Sequence, residues 1–366
     1  MKQFPLIIVA LGLLFLCNRC ASPGREVHSL DFSGVDQFLK IAASLEKDKD
    51  PDTADWEVLF DTPGYAALTQ SEFNREFFRE NFSLVFMPSL QEELEQRLDE
   101  EKERPAHFRF LHHYLDAKQR REAMAEYADS LRANAGTLLE ESAQKAKQYL
   151  PPIQADDYIP VSFVVFASDA RGYTPVVIDI LFAMDMGESL HYLIAHELHH
   201  FYRNKILVFD RDLIREADAD IMWVLDQIHA EGLADQTDKR ILISDKEGPM
   251  HGLADRWEEM VANAPEYVKH MNEYLAAVAA GTEEKQEAGA RLRETLPMSG
   301  HPVGFFMTNL IIRELGRESV IKHAGDPFAF FHLYNEAAGR TAGEVPALSP
   351  EAMAVIDELE GRYVNN

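Results

Sequence analysis

The sequence predicts an α+β fold that is mainly α-helical. Three observations carry this prediction: long stretches of helix-forming residues in both halves of the chain, two short β-branched and aromatic runs near its middle, and a periodic helix directly after them. The 366 residues, 46% of them hydrophobic, suffice for a sizeable core. The formal net charge of -26 disfavours nucleic acid as a partner, because an acidic surface repels phosphate.

The N-terminus has the pattern of an export signal. Lys2 precedes an almost unbroken apolar run from Leu6 to Cys17, which is shorter than a helix that spans a bilayer. We therefore expect residues 1–20 to be a signal peptide and residues 21–34 to be a linker. The protein is expected to be exported.

Cys20 is a candidate for lipid attachment. It is followed by a short stretch of small residues like the tether of a bacterial lipoprotein, but Arg19 stands where a small residue usually precedes the modified cysteine. Two alternatives remain open. Lipidation would hold the protein at the cell envelope, and simple cleavage would release it to the periplasm or the medium.

Residues 35–150 are predicted to form a region of amphipathic helices. Apolar residues repeat at helical spacing from Phe38 to Leu45, and the stretch from Leu90 to Tyr149 is rich in good helix formers. His112 and His113 have no carboxylate at a defensible metal-ligand spacing, so we interpret them as packing or surface residues. The region is expected to be a structural layer.

A small sheet is predicted next. Val161 to Phe166 and Val176 to Met184 are apolar, strand-like runs, and Ser168 to Gly172 has turn chemistry between them. The two runs are expected to pair. A helix is predicted to begin near Ser189, which is a suitable N-cap residue.

That helix carries the motif His196-Glu197-Leu198-His199-His200. Positions i and i+4 lie on one helix face, so His196 and His200 can reach the same ion. Imidazole suits Zn²⁺, and a catalytic site needs a third protein ligand and an open position for water. Glu197 can act as general base toward that water. The other nearby histidines are interpreted as structural: His191, His199 and His229.

Two downstream glutamates are candidates for the third ligand. Glu231 stands in Glu-Gly-Leu-Ala-Asp, after a helix predicted from Leu213 to His229. Glu216 also has an aspartate four residues later, and its alternative interpretation is an exposed helix carboxylate. Spacing alone leaves both open.

Taken together, the two motifs resemble those of glutamate-zincin metallopeptidases, and are similar to bacterial zinc-dependent peptidases of a domain-of-unknown-function family. The resemblance is strongest from Val161 to Asp238. It implies Glu197 as the catalytic base, and Asp235 as the residue that orients a ligand histidine. It favours Glu231 over Glu216. The zinc ligands it implies are His196, His200 and Glu231.

The resemblance also implies a zincin-like core over residues 151–240. In such a core a small sheet lies over the two helices that bear the ligands, and its edge strand binds substrate. Val176 to Met184 is the candidate edge strand. Residues 241–366 would be a C-terminal helical region.

One further catalytic residue is expected after the ligand helix. Related proteins often place a tyrosine or histidine there, which donates a hydrogen bond to the oxyanion of the tetrahedral intermediate. His301, in His-Pro-Val-Gly, stands in the equivalent order. The alternative is that His301 only begins a helix, and Tyr334 is then the reserve candidate.

The function implied is that of a zinc peptidase. Zn²⁺ would polarise the carbonyl of a peptide or protein substrate and activate its bound water, while Glu197 takes the proton. Two other functions stay open: a zincin scaffold with little or no turnover that serves as a surface or binding lipoprotein, and a zinc hydrolase of non-peptide amides or esters. Contact with a membrane is expected only through the lipid anchor, and the oligomeric state is left open.

Overall fold

The computed structural model describes residues 29–103, 109–153, 160–245 and 248–364. The predicted signal peptide and Cys20 lie outside these residues. The described part is mainly α-helical with one small sheet, which confirms the predicted fold class. Its strands are β1 (Ser29–Asp31), β2 (Pro160–Val164), β3 (Ala170–Arg171) and β4 (Val176–Asp179).

Helices before and after the sheet account for most of the chain. Those that precede β2 are α1 (Ser33–Leu45), α2 (Thr53–Phe60), α3 (Pro63–Ser71), α4 (Arg75–Phe86), α5 (Gln91–Glu101), α6 (Phe110–Gln119) and α7 (Arg121–Ala146). Those that follow β4 are α8 (Ile180–Met186), α9 (Leu190–Asn204), α10 (Ala219–Ala234), α11 (Lys239–Leu242), α12 (His251–Ala279), α13 (Lys285–Thr295), α14 (His301–Leu315), α15 (Arg317–Lys322), α16 (Pro327–Gly339) and α17 (Pro350–Tyr363).

The strand order in the sheet is β1-β2-β4-β3. β1 and β4 both run parallel to β2, with Leu30 opposite Val161 and Val161 opposite Val176. β3 runs antiparallel to β4 and forms one edge. The prediction that Val176 to Met184 is the edge strand is therefore wrong, because β4 is internal and β3 covers its outer side.

β4 ends earlier than predicted because Asp179 caps a helix. Its Oδ1 accepts hydrogen bonds from the backbone N–H groups of Leu181 and Phe182, at 2.9 and 3.0 Å. Its Oδ2 accepts from the Phe166 N–H and contacts His113 Nε2, each at 2.9 Å. The apolar run therefore continues as α8 rather than as a strand, and His113 packs against the end of the sheet.

The N-terminal helices lie directly against this sheet. A Cβ atom at Gly64 would stand 2.6 Å from a Val164 methyl, so α3 approaches β2 closely because that residue is glycine. The Tyr65 hydroxyl donates to the Val165 carbonyl at 2.8 Å, and α7 packs along α9. Residues 29–34, expected to be linker, instead contain β1 and the start of α1, because β1 pairs with β2.

α10 begins later than predicted and extends further. Two 3-10 turns occupy residues 211–213 and 216–218, and the α-helix runs from Ala219 to Ala234. Glu231 is thus in the last turn of a helix rather than after one. None of the helices in the described ranges combines the length and apolar character needed to cross a membrane.

Candidate metal centre and active site

Three predicted ligand atoms meet between α9 and α10. His200 Nε2 lies 3.1 Å from His196 Nε2 and 3.1 Å from Glu231 Oε2. The distance from His196 Nε2 to the same Glu231 oxygen is 3.3 Å. The two histidines come from one face of α9, one turn apart, and the glutamate comes from the facing α10.

This donor set fits Zn²⁺. Zinc ligands stand about 2.0 to 2.2 Å from the ion in a tetrahedron, which puts neighbouring donor atoms roughly 3.3 Å apart. The three observed separations, 3.1, 3.1 and 3.3 Å, are close to that spacing. Two imidazoles and one carboxylate also leave one tetrahedral position for water, as a catalytic zinc site requires.

Asp238 orients the first of these histidines. Its Oδ1 lies 3.1 Å from His196 Nδ1, and its Oδ2 accepts a hydrogen bond from Lys239 Nζ at 2.6 Å. A proton on Nδ1, shared with this carboxylate, leaves the lone pair on Nε2, where the other two donors are. Asp235, predicted for this role, lies 3.6 Å from the same nitrogen.

Asp235 instead contacts His301. The two oxygens of Asp235 lie 3.0 and 3.1 Å from His301 Nδ1, and Glu231 Oε2 lies 3.2 Å from that nitrogen. Burial acts to lower the pKa of His301, but the charges of Asp235 and Glu231 outweigh it and raise the pKa. His301 therefore stands beside the predicted ligands with Nδ1 engaged and Nε2 as its remaining polar atom.

Glu231 is held as a carboxylate. Burial would raise its pKa, but the charges of His200 and His301 and the hydrogen bonds from the ligand histidines hold the pKa well below its usual value. An ionised carboxylate needs no deprotonation before it can bind a cation.

Glu197 is buried beside the cluster but is not one of the three donors. Its side chain faces the same cavity, and the whole residue is 8% exposed. Burial raises the pKa of Glu197, although the neighbouring charges of His196 and His200 act to lower it. A carboxyl with a raised pKa accepts a proton more readily, as a general base must.

The chain passes close over Glu197 just after the edge strand β3. A Cβ atom at Gly172 would stand 3.0 Å from Glu197 Oε2 and 3.3 Å from His200 Cβ. Glycine lets the backbone come this near without displacing either side chain. The edge of the sheet formed by β3 therefore borders the cluster.

These residues line a cavity of about 600 Å³, within the range typical of ligand sites. Its residues come from the β3 segment, from α8 to α12, and from the turn before α14. The cavity contains every residue predicted for catalysis or zinc binding: His196, Glu197, His200, Glu231 and His301.

The alternative candidates lie elsewhere. Glu216 is exposed in a 3-10 turn. The Tyr334 hydroxyl is buried and donates to the Pro346 carbonyl at 2.6 Å.

Two histidines interpreted as structural lie away from the cluster of ligand atoms. His199 is fully buried on the back of α9, and burial holds its pKa well below the usual value. His229 accepts from buried Arg203 at 2.8 Å.

Sequence reasoning missed Asp238 and Lys239. The signal available was spacing, since Asp238 follows Glu231 by seven positions, about two helical turns. The helix, however, ends at Ala234, and a turn places Asp238 against His196. It also missed Arg211, which reaches the cavity from a 3-10 turn.

Comparison with known proteins identifies a family. No curated protein and no solved structure matches the chain. A family model described as "Putative zinc dependent peptidase (DUF5700)" matches residues 56–342, which include the whole cluster and most of the helical layers around it. The chain therefore belongs to the DUF5700 family.

Proposed function

We propose that this protein is a zinc peptidase whose metal is held by His196, His200 and Glu231. The observation that carries the proposal is the set of three donor atoms within 3.3 Å of one another, with Glu197 buried next to them. A purely structural zinc site has no use for a free carboxylate at that position. The family description, which names zinc-dependent peptidases, supports the same assignment.

In the proposed reaction, Glu197 takes the proton of the attacking water and then passes it to the leaving amine. A Zn²⁺ ion held by the three ligands would supply Lewis acidity, which polarises a carbonyl and lowers the pKa of water. The raised pKa of Glu197 suits both transfers, since the same group must accept and then release a proton. His301, with Nδ1 bound to Asp235, keeps Nε2 to donate a hydrogen bond to the oxyanion.

A peptide substrate is favoured over a small ester or amide. β3 is an edge of the sheet and ends beside Glu197, so an extended peptide that lies along this edge would reach the cluster. A small non-peptide substrate would make no use of that edge. The open cavity also extends beyond the cluster in both directions along α9, which suits a chain longer than one residue.

The substitution Glu197→Gln tests the proposal. It should leave zinc content unchanged and lower peptide turnover by at least about 100-fold, since an amide cannot accept the proton. A defined peptide mixture, followed by mass spectrometry, measures cleavage, and elemental analysis measures zinc. Glu216→Gln is the matched control, because it makes the same change on an exposed turn. Wild-type rates in Glu197→Gln, or no cleavage of any peptide by the zinc-loaded wild type, would refute the proposal.

A further inference from the structure

The wall of the cavity differs in polarity between its two ends along α9. Toward the start of that helix the wall is apolar, formed by Phe182 and Met186 of α8 and Leu193 of α9. Leu242, Met250 and Leu253 also line the cavity. Beyond His200 the wall becomes polar and includes Asn204, Arg211 and Gln227. A bound peptide would therefore meet an apolar surface on one side of the cleaved bond and a cation on the other.

Arg211 is held firmly at the polar end. Its Nε and Nη2 donate to Asp226 Oδ2 at 3.0 and 2.6 Å, and Nη2 also donates to Asn204 Oδ1 at 2.9 Å. Its Nη1 makes no hydrogen bond to any residue in the described ranges, so two N–H donors remain. The Arg211 side chain is 48% exposed.

This arginine carries charge that the fold does not balance. Asp226 Oδ1 already accepts from Arg203 Nη2 at 2.7 Å, and Arg203 is fully buried. Within the described part of the chain, Asp226 is the one carboxylate in ion-pair range of either arginine. Two guanidinium groups and one carboxylate leave one positive charge in excess, and the exposed member, Arg211, presents it to the cavity.

A second arginine in the cavity provides the contrast. Arg171 pairs with both Glu72 and Asp169, at 2.8 and 2.5 Å, so its charge is more than neutralised. Arg211 is therefore the cavity arginine with an unbalanced charge, in a protein whose formal net charge is -26.

The position of Arg211 relative to α9 indicates how far it lies from the cleaved bond. Asn204, which Arg211 contacts, follows His200 by four residues, or about 6 Å along the helix axis. An extended peptide advances about 3.3 Å per residue. A substrate group at Arg211 therefore belongs to a residue roughly two positions from the scissile bond.

We infer that Arg211 binds a carboxylate of the substrate about two residues from the scissile bond. The carboxylate is either the free C-terminus of a short peptide or the side chain of an acidic residue in a longer one. Arginine suits this role because its planar N–H donors match carboxylate oxygens. The inference rests on the proposed peptidase function and adds a substrate class to it.

Equilibrium binding tests the inference without turnover. Fluorescently labelled peptides are titrated with the zinc-loaded Glu197→Gln protein, and Kd is read from fluorescence anisotropy. One peptide series compares a free C-terminus with a C-terminal amide at several lengths. A second, amidated series compares Glu with Gln at successive positions. In whichever series carries the preferred carboxylate, that peptide should bind about 2- to 5-fold more tightly than its neutral counterpart, the range expected for a half-exposed ion pair.

Three variants in the same background assign the preference to a residue. Arg211→Gln should abolish it, and Arg211→Lys, which keeps the charge, should retain part of it. Arg171→Gln removes an equal charge from the same cavity and should keep the preference. Thermal melting of each variant shows whether it is folded.

The outcomes separate this inference from the proposed function. A preference that survives Arg211→Gln, a lack of preference in both series, or no binding of any peptide would overturn the inference. Turnover of the same peptides by the wild-type protein is measured in parallel. A binding preference without cleavage would refute the peptidase function and keep the carboxylate site. Cleavage without a preference would refute the carboxylate site and keep the peptidase function.

Discussion

The Asp238 carboxylate decides which nitrogen of His196 faces the other predicted ligands. It contacts Nδ1 at 3.1 Å and is itself paired with buried Lys239. Glu231, Asp235 and Asp238 are three buried carboxylates in this small volume, and unpaired buried charges are costly. Lys239 offsets part of that negative charge, and a bound cation would offset more.

Asp238→Asn should therefore weaken zinc binding by about 10- to 100-fold, the usual cost of removing a carboxylate that supports a ligand histidine. Asp235→Asn should weaken it less, because Asp235 lies nearer to His301 Nδ1, at 3.0 Å, than to His196 Nδ1, at 3.6 Å. Competition with a chromophoric chelator measures the affinities. Asp212→Asn, on an exposed turn, is the control. A larger loss in Asp235→Asn than in Asp238→Asn would contradict this assignment.

The residues of the site differ in how well sequence reveals them. His196, Glu197 and His200 could be placed together because the geometry of a single helix fixes their relation. Glu231 was predicted from its motif, Glu-Gly-Leu-Ala-Asp, rather than from its spacing to His200. Asp238 and Arg211 could not be found, because each reaches the cavity through a turn whose direction depends on contacts distant in sequence.

At the scale of elements, close contact between α10 and α14 brings His301 to the cluster. A Cβ atom at Gly304 would stand 2.0 Å from the Ile228 carbonyl oxygen, and one at Gly232 would stand 2.4 Å from the Gly304 carbonyl oxygen. The two backbones therefore touch where both residues are glycine. Gly232 follows Glu231 directly and Gly304 lies one turn after His301, so this contact sets the distance between the two side chains.

Gly304→Ala should push these helices apart. We expect a loss of about 1 to 3 kcal/mol in the free energy of unfolding, as for other overpacked sites, together with weaker zinc binding. Gly136→Ala is the matched control: it lies inside α7 with no atom within 4 Å of an added Cβ, and helix propensity predicts equal or slightly greater stability. Chemical denaturation followed by circular dichroism measures both. Equal stability of the two variants would contradict the proposed contact.

The strands were predicted less well than the helices. β2 and the start of β4 follow from short β-branched runs, but their neighbours in the sheet do not, because pairing partners lie far apart in sequence. β3 falls within the segment interpreted as a turn, and it is only two residues long. The edge that borders the site was consequently assigned to the wrong strand.

At the scale of the whole molecule, the N-terminal part of the described chain supplies strand β1 to the sheet and helices that pack against it. β1 pairs with β2 across more than a hundred residues, and α3 and α7 pack against the sheet and α9. The helical character of residues 35–150 could be predicted from composition. The close packing at Gly64 could not be predicted, because Val164, which it contacts in space, is one hundred residues away in the chain.

We also propose that the protein is exported and lipid-anchored through Cys20, on the basis of Lys2 and the apolar run from Leu6 to Cys17. Growth of a bacterial expression host with a radioactive fatty acid should label the protein, and Cys20→Ser should lose the label. Cys17→Ser is the control, since it lies inside the apolar run. Equal labelling of Cys20→Ser and wild type would contradict the anchor, whereas a mature protein without label would indicate cleavage and release.

The zinc content of the purified protein and its ligand variants tests the central claim most directly. After dialysis against buffered zinc, elemental analysis of wild type and Glu216→Ala should give about one zinc per chain. His196→Ala, His200→Ala and Glu231→Ala should lose nearly all of it, because each removes one of the three donors that meet within 3.3 Å. Full zinc occupancy in Glu231→Ala, with loss in Glu216→Ala, would contradict the site.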